Sequence, residues 1–269
     1  RISSFFLEEY VLGSYVSRFF PFLLISLLFV SKYLKNYKLT LFSSGFFVAL
    51  PLVVISGERT AIFNIFLSIF IFLLNMKFKD LKKFLPTIII SFSIVASMIL
   101  INPDYKHRFI NTTINQLTEN TNFINTFSEG HRQHFISAIR IFNQNNPIIG
   151  SGPKMFRVLC SEVNDHPQGC TTHPHHTYIQ LLSEVGLLGT AIIFLILIIV
   201  FREIVLLSMN RNKSYYEYIY LFSLTCLLIS LWPFTPSASF FNNWINGIYY
   251  LPIGFVLYAK HQIISKKLE

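Results

Sequence analysis

At 269 residues, with 52% hydrophobic side chains, 29 Phe and only 13% charged residues, the chain is far too apolar for one soluble domain. Its net charge of +9 does not point to nucleic acid, because the Lys and Arg residues fall in short clusters between apolar runs, as orientation signals do in membrane proteins. The expected fold class is all-α: a polytopic transmembrane helical bundle of about seven spans, each needing roughly 17 to 25 apolar residues, with a helical periplasmic loop domain.

In chain order, Ser3 to Ser17 is mixed and reads as the tail of a loop or an interfacial helix. The predicted spans are Phe19 to Leu34, Leu39 to Ser56, Thr60 to Met76 and Phe84 to Ile101, then Tyr178 to Val205, Tyr216 to Trp232 and Trp244 to Ala259. The first residue is Arg1, so further spans are expected upstream. Most of the 22 Lys and Arg residues lie on one side, in short connectors around Lys35, Lys82 and Arg211 and in the tail. That side is expected to be cytoplasmic. The long segment from Asn102 to Thr177, the Ser56 to Arg59 turn and the Pro233 to Asn243 connector are then expected to face outward, to the periplasm if the source is a diderm bacterium.

The long segment has structure of its own. A helix is predicted over Asp104 to Leu117, after Pro103, and a stronger one over Ser128 to Asn145, with Ser128 as N-cap and Phe135, Ile139 and Phe142 as its apolar stripe. Asn145, Asn146 and Pro147 end it, and the turn PIIGSG (Pro147 to Gly152) leads to a short helix through Met155 and Phe156. Cys160 and Cys170 share this loop, and on an oxidising side they are expected to form a disulfide; Cys226 falls in a span.

Chemistry concentrates at three helix starts on the outer side. Arg59 sits in SGERT, Arg132 in the first turn of the Ser128 helix, and His175 in HPHHTY, where Pro174 delays the helix so that His175 and His176 fall in its first turn. Helix N-termini attract anions, so two arginines there suit a diphosphate, and the same positive end keeps an imidazole neutral, as a general base requires. Plainer readings stand beside these. Arg59 is a snorkelling arginine or a partner of Glu58, and Arg132 is a solvated cation on an amphipathic helix. His166 and the neighbouring histidines lack the spacing of a zinc site, so no metal is assigned. Tyr178 reads as an interfacial aromatic, Glu184 as a buried acid paired with an interior Arg or His, and Gly186 and Gly189 as close-packing positions between helices.

The ordered set SGERT, GHRQHFISAIRIFNQNNPIIGSGPKMF and HPHHTYIQLLSEVGLLG resembles the bacterial O-antigen ligase and O-antigen polymerase superfamily. The family's outer Arg, loop-helix Arg, Pro-x-x-Gly-x-Gly turn and His-Asn-x-Tyr motif followed by Glu-x-Gly-x-x-Gly fall in register with Arg59, Arg132, Pro147 to Gly152, His175, Tyr178, Glu184, Gly186 and Gly189. His176 stands where the family has Asn. The resemblance implies a membrane glycosyltransferase that moves a glycan from a polyprenyl diphosphate carrier to an acceptor sugar hydroxyl. The acceptor is lipid A core in a ligase and a lipid-linked glycan in a polymerase. It implies His175 as catalytic base, Arg59 and Arg132 as diphosphate ligands, His176, Tyr178 and Glu184 as supporting residues, and no cofactor. Residues 1–101 would then be spans, 102–177 the catalytic loop and 178–269 the remaining spans and a cytoplasmic tail. The rival readings are a lipid-linked glycan transporter, which should show ionisable residues in mid-membrane and broken helices, and a non-catalytic scaffold.

Overall fold

The computed structural model describes residues 11–118 and 127–268, so the expectation for Ser3 to Tyr10 lies outside the described residues. Among these residues every regular element is helical: α1 (Leu12–Tyr33), α2 (Lys38–Ser56), α3 (Arg59–Leu74), α4 (Phe78–Ile101), α5 (Pro103–Lys106), α6 (Thr112–Thr118), α7 (Glu129–Gln144), α8 (Phe156–Val163), α9 (Thr177–Met209), α10 (Tyr215–Ser230) and α11 (Asn243–Leu268). Four of the described helices are long and apolar enough to cross a membrane: α1, α2 from Leu39, α4 from Asp80, and α9. The other three predicted spans coincide with helices that fall short of this measure. α3 and α10 have 16 residues each, and the apolar run of α11 is interrupted by Asn246 and Pro252.

The chain divides into two compact units, Arg1–Thr112 with Phe201–Ser230 and Leu251–Glu269, and Thr113–Val200 with Leu231–Tyr250. In the first, α1 packs on α2, α3 and α10, and α2 on α4. Its centre is aromatic, which accounts for part of the Phe content. Phe46 meets Phe20, Phe72 and Phe84 at centroid distances of 5.3, 5.5 and 5.0 Å, mostly edge to face, the arrangement favoured by the ring quadrupoles.

α1 begins seven residues before the predicted span, and Glu58 explains why a polar start is stable there. The Glu58 carboxylate accepts from the backbone N–H of Gly13 (2.6 Å) and Ser14 (3.1 Å), groups that have no partner within the helix and sit at its positive end. A Cβ at Gly13 would meet Ser56 Oγ at 2.2 Å, so only glycine admits this approach. Glu58 therefore caps α1. The predicted Asp104 to Leu117 helix is present as α5 and α6 joined by a π turn at His107–Asn111, and the side chain of Asn102 caps its start.

In the second unit α7 packs on α8. The buried stripe of α7 is Phe135, Ala138 and Ile141, set against Phe156 and Cys160; Ile139 of the predicted stripe is 42% exposed. Phe135 is thus buried as predicted, while Ala138 and Ile141 take the places expected for Ile139 and Phe142. Ser128 stands at the N-cap but does not cap the backbone: its Oγ bonds His131 Nδ1 at 2.6 Å. Cys160 and Cys170 are disulfide-bonded, with Cα atoms 5.0 Å apart, as expected from the sequence.

Candidate functional site

The site is built on a splice between the PIIGSG turn and a break in α9. Gly186 has φ 65° and ψ −167°, a conformation closed to side chains, and it interrupts the helix near its start. Such a break leaves carbonyls before it and N–H groups after it without helical partners. The turn supplies both. Ser151 and Gly152 donate their N–H groups to the carbonyls of Ser183 (3.0 Å) and Glu184 (2.8 Å), and the carbonyls of Pro147 and Ile148 accept from Leu187 (2.8 Å) and Leu188 (3.1 Å). Gly186 is therefore the acceptor site of a docked turn, in place of the helix-packing position read from sequence. The break is closed by protein, unlike the ligand-lined breaks expected of a transporter.

The Glu184 side chain secures the other end of this turn. Fully buried, it accepts from the N–H of Phe156 (3.1 Å), at the start of α8, and from Gln180 Nε2 (3.0 Å). The carboxylate is satisfied by a backbone N–H and an amide, where the sequence reading gave it an Arg or His partner. Gln180 passes the contact on, donating to Ser239 Oγ (3.1 Å) and accepting from the N–H of Phe240 (2.9 Å).

α9 starts at Thr177, so His176 is the residue before the helix and His175 lies outside it. The two histidines have different surroundings. His176 is buried and both ring nitrogens are engaged: Nε2 donates to the carbonyl of Pro233 (3.0 Å), and Nδ1 accepts from the N–H of Ile179 (3.4 Å). These are the two bonds an Asn cap would make in its place, with Oδ1 on the helix and Nδ2 on the carbonyl. Tyr178 acts in parallel, its hydroxyl donating to the carbonyl of Leu231 (2.8 Å).

His175, by contrast, is only half-buried, and no hydrogen bond engages its ring among the described residues. Its backbone is held at φ 56°, in the left-handed region, and its carbonyl accepts from the N–H of Ser237 (2.9 Å). That conformation costs a non-glycine residue about 1 kcal/mol or more, and the Ser237 bond and the clamp on Thr177 and Gln180 hold it in place. The ring lies among three other imidazoles: His173 at 4.0 Å, His134 at 5.3 Å and His131 at 5.5 Å between centroids. His134 Nδ1 and His173 Nε2 are buried without a hydrogen-bond partner among the described residues.

Burial and the neighbouring imidazoles push the basicity of this group down, His175 to about 3 and His173 to about 4, with His134 also lowered. The sequence argument traced a neutral His175 to the helix dipole; the larger cause is desolvation. Among the described residues no group of three His, Cys, Asp or Glu side chains has a geometry that would hold a metal ion.

Arg132 lies in the first turn of α7, next to His131, on the exposed side of the helix. Glu129 holds it by two bonds, Nε to Oε2 at 2.9 Å and Nη2 to Oε1 at 2.7 Å, and this pairing brings the Glu129 carboxyl down to about 2. Three of the five guanidinium N–H groups remain available. Arg59 is the first residue of α3 in the other unit. Beside its turn the Arg108 Nε donates to the carbonyl of Gly57, a contact the sequence did not announce. His131 and His134 are likewise not among the residues the sequence singles out. The signal was present: His131 and His134 are three apart in GHRQH and so share a helix face.

The model of the O-antigen ligase family matches residues 44–194, more than half of the chain and all of the loop just described. The chain belongs to the O-antigen ligase family. No curated protein and no solved structure matches it. Membership in the O-antigen ligase family indicates a multi-pass membrane protein of the ligase or polymerase kind, acting on lipid-linked glycans.

Proposed function

We propose that the protein transfers a glycan from a polyprenyl diphosphate carrier to an acceptor sugar hydroxyl at the periplasmic face of the inner membrane. The observation that carries this is the contrast at residues 175 and 176: one imidazole bonded through both ring nitrogens, the next on a left-handed backbone, half-buried, with no hydrogen bond to its ring among the described residues. In the proposed reaction His175 removes the acceptor hydroxyl proton as the oxygen bonds to the anomeric carbon. The bond from that carbon to the diphosphate oxygen breaks, and the polyprenyl diphosphate departs with the electron pair.

Arg132 suits the leaving diphosphate because Glu129 fixes its fork while leaving three donors. The diphosphate's negative charge would also raise the basicity of the imidazole cluster, so that His175 gains a proton more readily once donor is bound. The same diphosphate-binding role for Arg59 is argued from the sequence register alone. His176, Tyr178 and Glu184 act through position, holding the Pro233 and Leu231 carbonyls and the PIIGSG turn. The disulfide supports the outward placement, since such bonds persist in oxidising compartments.

Ligase and polymerase differ in acceptor. Expression of the complete protein in a ligase-deficient strain should restore long glycan to lipid A core if it is a ligase. Longer lipid-linked chains without transfer to core would identify a polymerase. Donor binding without transfer to any acceptor would defeat both and favour a transporter.

A further inference from the structure

The first unit contains a cavity of about 420 Å³ at the end of the bundle where α1 and α3 finish and α4 and α10 begin. Lys35, Lys77 and Lys83 line it, together with Asp80 and Asn75. Its walls include the buried rings of Phe42, Phe72 and Phe84. Three ammonium groups against one carboxylate give the mouth a net positive charge, and among the described residues none of these lysines is in an ion pair. A basic mouth over an apolar interior, at the Lys-rich end of membrane helices, suits a lipid that carries negative charge in its head group.

A second observation narrows the head group. Asn75 is 5% exposed, and its Oδ1 has no hydrogen-bond partner among the described residues. The amide orientation is fixed by its other side. Nδ2 lies 2.7 Å from the Ile71 carbonyl and 3.1 Å from Ser208 Oγ, whose own proton goes to the Ile204 carbonyl, so both neighbours can only accept. The atom left over is an acceptor inside the cavity wall, closed to solvent, so an occupant reaches it only through a small opening of that wall. A phosphodiester has no proton to donate to it; a head-group hydroxyl has.

We propose that this cavity binds the head group of an anionic glycerophospholipid. The phosphodiester would lie against Lys35, Lys77 and Lys83, and a hydroxyl of the glycerol would donate to Asn75 Oδ1 once the wall opens around it. The site is independent of the transfer chemistry and would tie the packing of α3, α4 and α10 to a lipid of one head-group class.

The test is native mass spectrometry of the purified full chain in detergent, titrated with phosphatidylglycerol, phosphatidylethanolamine and phosphatidylmethanol of one acyl composition. One phosphatidylglycerol should be retained. Phosphatidylethanolamine, with no net charge, should bind about tenfold more weakly, and phosphatidylmethanol, anionic but without head-group hydroxyls, severalfold more weakly. The Lys35→Gln/Lys83→Gln pair should lose about tenfold in phosphatidylglycerol affinity, while Lys260→Gln/Lys266→Gln, an equal loss of charge outside the cavity, should not. Equal retention of all three lipids, equal loss in both charge pairs, or displacement by millimolar inorganic phosphate would each overturn the proposal.

Discussion

Gly150 and Gly186 meet backbone to backbone: a Cβ on either would stand 2.6 Å from the amide nitrogen of the other. Both have positive φ, 73° and 65°, so each glycine is required twice, once by its own conformation and once by its neighbour. The contact fixes where the loop turn enters α9, eleven residues after His175.

Substituting either glycine should therefore be costly. Gly150→Ala and Gly186→Ala each combine left-handed strain with a backbone clash, and a loss of about 2 to 4 kcal/mol is expected in reversible unfolding. Gly247→Ala, which meets nothing within 4 Å, should be neutral or slightly stabilising. If the three variants melt together, the splice does not govern stability.

The two adjacent histidines should separate cleanly in kinetics. His175→Ala is expected to lower transfer by about 10²- to 10⁴-fold with donor binding nearly intact, since proton removal acts in the transition state. His176→Asn should be tolerated, because Asn can accept from Ile179 and donate to Pro233. His176→Ala leaves the Pro233 carbonyl and the helix start unpaired and should lose stability by about 1 kcal/mol or more. An active His175→Ala enzyme would remove the assigned base.

The arginines should behave differently from the base. Arg132→Ala and Arg59→Ala are expected to weaken donor binding as well as turnover, since diphosphate contacts exist before reaction and strengthen as charge develops. Arg132→Lys should not rescue, because a lysine cannot hold the two-point bond to Glu129 and still offer a planar fork. Unchanged donor affinity in Arg132→Ala, measured by direct titration, would take that residue out of the diphosphate site.

Acid should destabilise the loop through the imidazoles. The folded values near 3 and 4 for His175 and His173 lie below the ordinary value of 6.5, so the unfolded chain binds protons first as pH falls. Stability is then undiminished above about pH 6.5 and falls from there toward pH 4 and 3. Melting between pH 7.5 and 5 isolates this effect from Glu129, which titrates lower. The slope should flatten in His134→Asn; a slope that is absent, or unchanged in the variant, would show that the cluster is not the cause.

Reducing the Cys160–Cys170 bond should cost about 2 to 4 kcal/mol, on the general scale for native disulfides. Cys160 is buried against Ile141 and Phe156, so Cys160→Ala should lose more than Cys170→Ala, which removes the bond alone. Equal midpoints for the oxidised and reduced protein would refute this.

The sequence made the elements legible wherever the cause was local. The Asn145 to Pro147 stop and the glycines of PIIGSG mark the end of α7 and the turn because stop and turn conformations are properties of a few neighbouring residues. It did not reveal what those residues do for one another across the fold. Glu184 was read as needing an ionic partner, since one sequence position does not show that the N–H of Phe156 will arrive. Gly186 carried no local mark of a helix break, because the groups that make the break stable lie some forty residues earlier. Glu58 is a similar case: the backbone N–H it accepts from, at Gly13, lies 45 residues earlier.

The reciprocal bonding of Pro147 to Gly152 with Ser183 to Leu188 sets the boundary of an exchangeable module. A chimera that replaces only the soluble loop of one family member by that of another would separate four backbone bonds that were matched as a set. A graft carrying residues 128–189 as one piece keeps them together. The start of α9 is, by its bonding, a part of the loop that happens to continue into the membrane.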